Sequence, residues 1–335
     1  MRIAVIGAGS WGTALAWLLG QKGYTVWLWG RDAAQIERIA AERVNRRYLP
    51  EARLPETVRP THATQPLKEC AVWVLAVPSG ALRAALALKP PPNTILVIAA
   101  KGLEPGTGKL LTQVVWEVVG DREARTVVLS GPNLAVELVR GAPTATVAAS
   151  RSLPCAEQVQ EIFMTPPILR VYTNDDVIGV ELGGALKNVY AIGAGMSDGL
   201  GFGDNTKATL LTRGLAEMMR FGAAMGARPE TFMGLTGVGD LFATAVSRLS
   251  RNYRLGRAVA EGKTADQAIA ELGQVAEGYP TALVAHSLAV QWGVEMPLLH
   301  AIASILRGER AIRDALEHLM TRPPKGEREF EFRAL

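Results

Sequence analysis

The feature that most constrains this chain is a glycine-rich turn close to its amino terminus. Ile3–Ile6 is a short β-branched run that predicts a buried strand, and Ser10–Leu19 has the pattern of a helix. Between them the sequence reads G-x-G-x-x-G, in which Gly7 permits a tight turn, Gly9 a close backbone approach and Gly12 close helix–strand packing. This order predicts a parallel α/β sheet whose first helix presents free N–H groups to the diphosphate of a dinucleotide.

The first half of the chain alternates apolar runs with helical patterns. Nearly continuous apolar, β-branched character is typical of strands that are buried on both faces of a parallel sheet. Further strands are predicted at Val26–Trp29, Ala71–Val77, Thr94–Ala99, Val127–Leu129, Thr144–Ala149 and Leu169–Tyr172, with helices at Ala33–Arg43 and Gly108–Val119. The alternation predicts an α/β fold that begins with a Rossmann-type doubly wound sheet.

The character of the sequence changes at the polar, turn-rich tract Thr173–Asp176. After it strand-like runs nearly vanish, and helices are predicted at Val177–Gly193, Thr206–Met225, Arg254–Glu261, Thr264–Leu272, Pro280–Trp292 and Met296–Ile305. We therefore predict three parts: a dinucleotide-binding Rossmann domain over residues 1–176, an all-helical C-terminal substrate and catalytic domain over residues 177–322, and a charged tail over residues 323–335.

Composition narrows the range of partners. At 335 residues, two domains fit the usual size of about 100–200 residues each. Two cysteines far apart suggest no disulfide framework and favour a reducing, cytoplasmic location. A net charge of +4 is too small and too scattered to indicate nucleic acid, and no apolar run approaches the ~20 residues of a membrane span. The four histidines are isolated, so no metal site is predicted.

The end of the second predicted strand bears on the choice between NAD and NADP. An acid there would bind a ribose 2′-hydroxyl, whereas an arginine would suit a 2′-phosphate. Arg31 lies 19 residues beyond Gly12, close to the expected spacing of about 20, and no acid occupies the strand tip. Arg31 therefore favours NADPH, although a solvated loop cation remains the alternative.

Several separated blocks of sequence resemble the bacterial NAD(P)-dependent glycerol-3-phosphate dehydrogenases. The blocks are Gly7–Ala16, Asn45–Pro50, Lys101-Gly102, Gly131–Glu137, Gly179–Gly195, Gly237–Leu241, Ser250–Asn252 and Gly273–Gly278. The resemblance runs from about residue 1 to about residue 320. It implies NAD(P)H-dependent, reversible reduction of dihydroxyacetone phosphate to sn-glycerol 3-phosphate, a reaction that supplies phospholipid synthesis. Both NADPH/NADP and NADH/NAD are expected as cofactors.

The same resemblance implies roles for individual residues. Besides the motif glycines, the implied cofactor contacts are Ser10, Trp11, Arg31, Lys101, Ala135, Arg251, Val275 and Glu277. The implied substrate contacts are Lys101, Gly131, Asn133, Lys187, Asp240, Ser250, Arg251 and Asn252. Leu134 stands where the family often has Phe, and Ala245 where it often has Cys. These two departures affect the expected shape of the pocket rather than its chemistry.

The chemistry of ketone reduction gives the candidate catalytic residues physical roles. Negative charge develops on the carbonyl oxygen, and a lysine whose pKa is lowered by burial or a neighbouring cation can neutralise it and donate a proton. Lys187 is a lone lysine in an apolar helix start, beside Asn188, which could orient it. Asp240 follows a glycine-rich, flexible turn that could aim its carboxylate at Lys187 or at a substrate hydroxyl. Lys101 is the alternative donor.

The remaining candidates concern the substrate's phosphate and the rival functions. Ser250-Arg251-Asn252 groups a hydroxyl, a guanidinium and an amide, which suits a phosphate, although such a tripeptide can also be an ordinary helix cap. A 3-hydroxyacid or 6-phosphogluconate-type dehydrogenase would share the two-domain plan, with its site in the cleft between domains. A non-catalytic dinucleotide-binding regulator is a third possibility. A homodimer is one possible assembly of the chain.

Overall fold

A computed structural model describes residues 1–120 and 123–327 of the chain. Its strands are β1 (Arg2–Ile6), β2 (Thr25–Trp29), β3 (Val44–Asn45), β4 (Leu49–Arg53), β5 (Val58–Thr61), β6 (Val72–Leu75), β7 (Ile95–Ile98), β8 (Thr126–Ser130), β9 (Thr144–Ala149) and β10 (Leu169–Asn174). β3 and β4 form a small antiparallel pair, and the others form one sheet. None of the helices in the described part of the chain combines the length and apolarity needed to cross a bilayer.

The order of the strands in the main sheet is β10-β9-β8-β7-β6-β1-β2-β5. Neighbouring strands are parallel except for the pair β8–β9, which is antiparallel. The part from β5 to β8 has the strand order of dinucleotide-binding sheets, with the chain winding outward in both directions from the boundary between β1 and β6. The prediction of a doubly wound α/β sheet is confirmed.

The helices fall into two groups. Those that accompany the sheet are α1 (Ser10–Gln21), α2 (Ala33–Glu42), α3 (Leu82–Leu86), α4 (Leu111–Val119), α5 (Ala135–Val139) and α6 (Leu153–Phe163). After the sheet come α7 (Val177–Gly199), α8 (Asp204–Ala224), α9 (Asp240–Val246), α10 (Arg251–Ala260), α11 (Ala265–Leu272), α12 (Gly278–Trp292), α13 (Pro297–Leu306) and α14 (Ile312–Met320). No strand follows Asn174 among the described residues, so the prediction of a helical second half is confirmed.

Helix α7 is the axis of the helical half. It is 23 residues long, buried along nearly its whole length, and packs against α8, α9, α10 and α12. Its approach to α10 is especially close, because a Cβ atom on Gly195 would overlap the Tyr253 carbonyl oxygen, and one on Gly256 would overlap that of Ile192. The two backbones are therefore in direct contact, which fixes α10 firmly relative to α7.

Several elements were not predicted. β5 contains Pro60, which lowers strand propensity but is tolerated because β5 is an edge strand and needs no ladder N–H there. The β3–β4 pair and the helices α3, α5, α6, α9 and α14 were also missed. The tract Thr173–Asp176, predicted as a turn, is strand as far as Asn174, because β10 pairs with β9 to that residue. Residues 328–335 of the predicted charged tail lie outside the described residues.

A buried carboxylate connects the helical half to the sheet half. Glu181 of α7 accepts hydrogen bonds from the Thr112 backbone N–H at 3.0 Å and from the Thr112 hydroxyl at 2.7 Å, at the N-terminus of α4. Burial raises the pKa of Glu181 from 4.5 to about 7, and the bonds from Thr112 oppose that rise only in part. Glu217 of α8 binds the N-terminus of α13 in a similar way.

This arrangement predicts a pH-dependent stability. A carboxyl group whose pKa is higher in the folded protein stabilises it below about pH 4.5 and loses that contribution as pH rises towards 7. Glu181→Gln removes this titration and leaves that of Glu217. The difference in unfolding free energy, wild type minus Glu181→Gln, should therefore fall by on the order of 2–3 kcal/mol between pH 4.5 and pH 8 in urea titrations. A constant difference would mean that Glu181 keeps an ordinary pKa.

Candidate active site

The glycine-rich turn forms a cradle at the N-terminus of α1. Gly7 has φ +117°, and a Cβ atom there would clash with the Ala76 carbonyl, while one on Gly12 would overlap the Gly7 carbonyl oxygen. A Cβ on Gly9 would meet nothing within 4 Å, and no side chain caps the helix that starts there. The buried indole Nε1 of Trp11 has no partner among the described residues. Open space, free N–H groups and an unpaired donor together fit a diphosphate.

The segment Asn45–Pro50 braces this cradle from the side. The Asn45 amide donates to the Ala8 carbonyl at 3.0 Å and to the Thr13 hydroxyl at 2.8 Å. The Ser10 hydroxyl donates to the Tyr48 carbonyl at 2.9 Å. The hydroxyl proton of Ser10 is therefore used in a hydrogen bond within the protein. Only the lone pairs of the hydroxyl oxygen and the backbone N–H of Ser10 remain for a ligand.

Arg31 lies two residues beyond the end of β2 at Trp29. It is exposed and forms no hydrogen bond or ion pair within residues 1–120 and 123–327. The neighbouring acid, Asp32, accepts a hydrogen bond from the Gln35 backbone N–H and so caps α2. A cation is therefore available just after β2, and the nearby carboxylate is engaged in capping α2.

Three charged groups meet where the carboxyl edge of the sheet touches the helical half. Lys101 follows β7, Lys187 lies within α7, and Asp240 opens α9. Asp240 Oδ1 accepts from Lys187 Nζ, and Asp240 Oδ2 from Lys101 Nζ, each at 2.6 Å. The carboxylate is 1 % exposed, so it is almost fully removed from water. Each carboxylate oxygen therefore holds one ammonium group.

Each lysine has a further acceptor. Lys187 Nζ donates to the Thr244 hydroxyl at 2.6 Å, and Lys101 Nζ donates to the Gly131 carbonyl at 2.8 Å. Thr244 stands one helical turn after Asp240 on α9, so one helix supplies both partners of Lys187. An ammonium group has three protons, and these bonds leave each lysine one proton to direct at a ligand.

Burial lowers the pKa of Lys187 from 10.5 to about 7. The Asp240 carboxylate opposes this shift by favouring the charged form, whereas the nearby Lys101 ammonium lowers the pKa further. A pKa near 7 makes Lys187 able to give up and recover a proton at neutral pH, as a general acid and base must.

The placement of two residues differs from the sequence-based expectation. Lys187 lies in the interior of α7, not near a helix start, because the helix begins at Val177 and ends at Gly199. Asp240 does not follow a flexible turn: Leu235–Gly239 is a π-helical turn that leads directly into α9. A Cβ atom on Gly183 would lie 2.6 Å from the Thr236 carbonyl oxygen, so α7 and this turn are in close contact. The turn therefore holds Asp240 rigidly.

The predicted phosphate-binding tripeptide begins α10. Ser250 caps the helix by accepting from the Tyr253 backbone N–H at 3.2 Å. The Asn252 amide donates to Asn188 Oδ1 at 2.8 Å and accepts from the Gly278 N–H at 2.9 Å, which leaves one proton free. Arg251 forms no hydrogen bond within the described residues, and burial lowers its pKa. Arg251 is thus the member whose donors are fully available.

The other residues implied by the resemblance lie after β8, at the start of α5 and in the segment between α11 and α12. Gly131 follows β8, and Asn133 donates to the Ala145 carbonyl at 2.9 Å, while its buried Oδ1 has no partner among the residues described. Ala135 begins α5, which packs on α1. Val275 is 43 % exposed. Glu277 precedes α12, and its carboxylate accepts from the N–H and the hydroxyl of Ser79.

Comparison with known proteins identifies the family. Residues 2–156 match the NAD-dependent glycerol-3-phosphate dehydrogenase N-terminus, and residues 176–317 match the corresponding C-terminus. The chain belongs to the NAD-dependent glycerol-3-phosphate dehydrogenase family. Its relatives include proteins of Geobacillus kaustophilus, with 47 % identity over 97 % of this chain and 96 % of the relative, and of Desulfitobacterium hafniense, with 49 % identity over 97 % and 93 %. Both are named glycerol-3-phosphate dehydrogenase (NAD(P)+).

A solved structure agrees with this assignment. The glycerol-3-phosphate dehydrogenase of Coxiella burnetii is 38 % identical in sequence and superimposes with a TM-score of 0.91, over 96 % of this chain and 99 % of that one. The resemblance stated from the separated sequence blocks is therefore confirmed. Family membership favours a glycerol-3-phosphate dehydrogenase over the 3-hydroxyacid and 6-phosphogluconate types and over a non-catalytic regulator.

Sequence reasoning missed two residues that contact the site. The Thr244 hydroxyl accepts a hydrogen bond from Lys187, and Ser79 donates two hydrogen bonds to Glu277. Asn188 was expected to orient Lys187, but it bonds instead to Asn252 and to the Gly184 carbonyl. A signal for Thr244 existed, since it stands four residues after Asp240 and so on the same helical face. No local pattern links Ser79 to Glu277.

The geometry predicts how the pKa of Lys187 responds to its neighbours. Lys101→Met removes a like charge and should raise that pKa, whereas Asp240→Asn removes the stabilising carboxylate and should lower it. The measurement is the pH dependence of the acylation of Lys187 by an amine-reactive reagent, followed by peptide mass spectrometry. Surface lysines in the same digest are the controls. An unaltered titration in Lys101→Met would show that the two ammonium groups do not interact.

Proposed function

We propose that the chain catalyses the NAD(P)H-dependent, reversible reduction of dihydroxyacetone phosphate to sn-glycerol 3-phosphate. The observation that carries this proposal is the buried Lys187–Asp240–Lys101 cluster, at the edge of the sheet to which the glycine cradle belongs. In this proposal residues 1–176 bind the dinucleotide, and residues 177–322 supply substrate and catalytic groups. Family membership supports the same reaction and both cofactors, NADPH/NADP and NADH/NAD.

Lys187 is proposed as the proton donor in reduction. The bound reduced nicotinamide supplies a hydride to the carbonyl carbon. As negative charge develops on the carbonyl oxygen, the free proton of Lys187 can transfer to it, since the pKa near 7 makes this lysine a competent acid. Asp240 and Thr244 fix the direction of the ammonium group by taking its other two protons. In the reverse reaction Lys187 in its amine form accepts the proton.

We propose that Lys101 binds the substrate and does not donate the proton. Its ammonium group is 16 % exposed as a side chain, against 7 % for Lys187, and it is anchored by Gly131 and Asp240. Anchored in this way, the Lys101 ammonium can direct its remaining proton at the substrate's carbonyl or phosphate. Lys187 is assigned the acid role because burial lowers its pKa to about 7.

Arg251 is proposed as the principal ligand of the substrate's phosphate. A guanidinium can bind a phosphate through two parallel hydrogen bonds, and none of its donors is used by the described residues. Asn252 can add its one free proton and Ser250 its hydroxyl proton. We propose further that the product supplies phospholipid synthesis in the cytoplasm, and that the assembly is a homodimer.

The reaction is tested by adding dihydroxyacetone phosphate to the protein and NADPH and following the nicotinamide absorbance. The expected result is oxidation of NADPH that requires dihydroxyacetone phosphate, and no reduction of NADP+ when 3-hydroxyacids or 6-phosphogluconate are supplied. Reduction of NADP+ with these carboxylate substrates alone would identify the chain as one of the rival dehydrogenase types. Cofactor binding without turnover of any substrate would support a regulator.

The assignment of the lysines predicts different kinetics for two variants. Lys187→Met keeps the aliphatic stem and should lower kcat by about 10²–10⁴, because a general acid is lost, while cofactor binding measured by fluorescence persists. The limb of the pH–rate profile that reports this lysine should disappear. Lys101→Met should raise KM more than it lowers kcat. Near-normal kcat in Lys187→Met together with an inactive Lys101→Met would reverse the two assignments.

Arg31 predicts cofactor preference. The wild type should accept NADPH at least as well as NADH, and Arg31→Ala should weaken NADPH binding by roughly tenfold or more, since a charged hydrogen bond is worth about 1.5–3 kcal/mol. NADH binding should change little. Arg38→Ala, on the exposed face of α2, is the matched control for loss of a surface arginine. An equal loss of affinity for NADPH and NADH would show that Arg31 contacts a part of the cofactor that both share.

A further inference from the structure

Arg251 is a half-buried cation that lacks an ion-pair partner. Burial lowers the pKa of its guanidinium, and within the described residues it forms neither a hydrogen bond nor a salt bridge. A partly desolvated cation is attracted to any acid within reach. For Arg251 to stay unpaired, the acid beside it must be held elsewhere.

That acid is Glu277: the N–H of the next residue, Gly278, donates to Asn252 Oδ1 at 2.9 Å, one residue after Arg251. Among the charged groups around Arg251, the Glu277 carboxylate exerts the strongest attraction on it. The two nevertheless form no salt bridge, because the carboxylate is held elsewhere. Its Oε1 accepts from the Ser79 backbone N–H at 3.0 Å, and its Oε2 accepts from the Ser79 hydroxyl at 2.6 Å. Both carboxylate oxygens are therefore directed at Ser79.

We propose that Ser79 is a positioning residue that holds the Glu277 carboxylate away from Arg251 and so keeps the guanidinium free for the substrate's phosphate. This inference rests on the proposed function, in which Arg251 binds that phosphate. Ser79 itself touches neither reacting group in this scheme. It acts through Glu277, across the junction between the sheet and the helical half.

The location of Ser79 suits this task. It follows β6, one of the two strands between which the winding of the sheet reverses, and it is only 2 % exposed. The preceding Pro78 fixes an extended backbone, with φ −54° and ψ 149°, which helps to set the direction of the Ser79 N–H. Gly102 lies against the same pair: a Cβ there would be 3.1 Å from Glu277 Oε2 and 3.2 Å from Ser79 Oγ. The pair is thus tightly enclosed.

Loss of the hydroxyl would release one of the two carboxylate oxygens. The freed oxygen can then turn towards Arg251, and an ion pair in this poorly solvated region would be stronger than one in water. Substrate phosphate would have to compete with it for the guanidinium. The Lys187–Asp240 contact does not involve Ser79, so the proton-transfer step would be left intact. The expected signature is a raised KM with a nearly unchanged kcat.

The test compares Ser79→Ala with the double variant Ser79→Ala/Glu277→Gln. At saturating NADPH, Ser79→Ala should raise the KM for dihydroxyacetone phosphate by roughly tenfold, as expected when a charged hydrogen bond is replaced by a competing one. In the double variant the neutral amide cannot form the ion pair, so the affinity for sn-glycerol 3-phosphate, measured without cofactor because Glu277 is an implied cofactor contact, should return towards the wild-type value.

A binding measurement without cofactor separates this effect from turnover. The rise in melting temperature caused by sn-glycerol 3-phosphate should shrink in Ser79→Ala and recover in the double variant. Ser287→Ala is the matched control, because the exposed Ser287 hydroxyl donates only to the Leu283 carbonyl within its own helix. Should Ser79→Ala not fold, Ser79→Gly removes the same hydroxyl without a buried methyl group.

The outcomes distinguish this inference from the function on which it rests. If Arg251→Ala loses phosphate affinity but Ser79→Ala does not, Arg251 binds phosphate and the role given to Ser79 is wrong. If the double variant binds no better than Ser79→Ala, the bond from Ser79 serves structure alone and the inference is overturned. If Arg251→Ala leaves KM unchanged, the proposed phosphate site itself fails.

Discussion

The structure is organised around one carboxylate that holds two ammonium groups. Asp240 is buried, and a buried carboxylate is stable only when its charge is compensated and its lone pairs are used. Lys187 comes from α7 and Lys101 from the turn after β7, so these bonds tie the helical half to the sheet. Removing either cation would leave the carboxylate incompletely compensated. The same contacts that join the two halves also create the low-pKa lysine.

The close helix contacts around this cluster explain why it can be held so firmly. α7 meets α10 backbone to backbone at Gly195 and Gly256, and it meets the π-helical turn before Asp240 at Gly183. Contacts between backbones leave no side-chain rotamers to adjust, so the distance between elements is set by the main chain. The position of Asp240 relative to Lys187 is therefore determined by three elements that cannot slide past one another.

Much of the fold and part of the site could be predicted from local sequence. The glycine turn, the buried strands and the helical second half all have short-range patterns, and the lone Lys187 in an apolar setting was informative. The edge strand with Pro60 was missed because its stability comes from its neighbour in the sheet. The contact between Ser79 and Glu277 joins residues 198 positions apart, and no periodicity reports such a pairing.

Two buried groups on α7 titrate in the same pH interval. Glu181 and Lys187 both have a pKa of about 7, one raised and one lowered by burial. As the surroundings become more acidic, Glu181 loses its charge while Lys187 gains one, so the helix takes up protons at both points. Glu181 stabilises the folded chain in its neutral form, and Lys187 in its charged form carries the proton that ketone reduction consumes. Acidification through pH 7 therefore increases the fraction of Lys187 that can donate a proton, while the gain in stability at Glu181 is opposed by the cost of charging the buried Lys187.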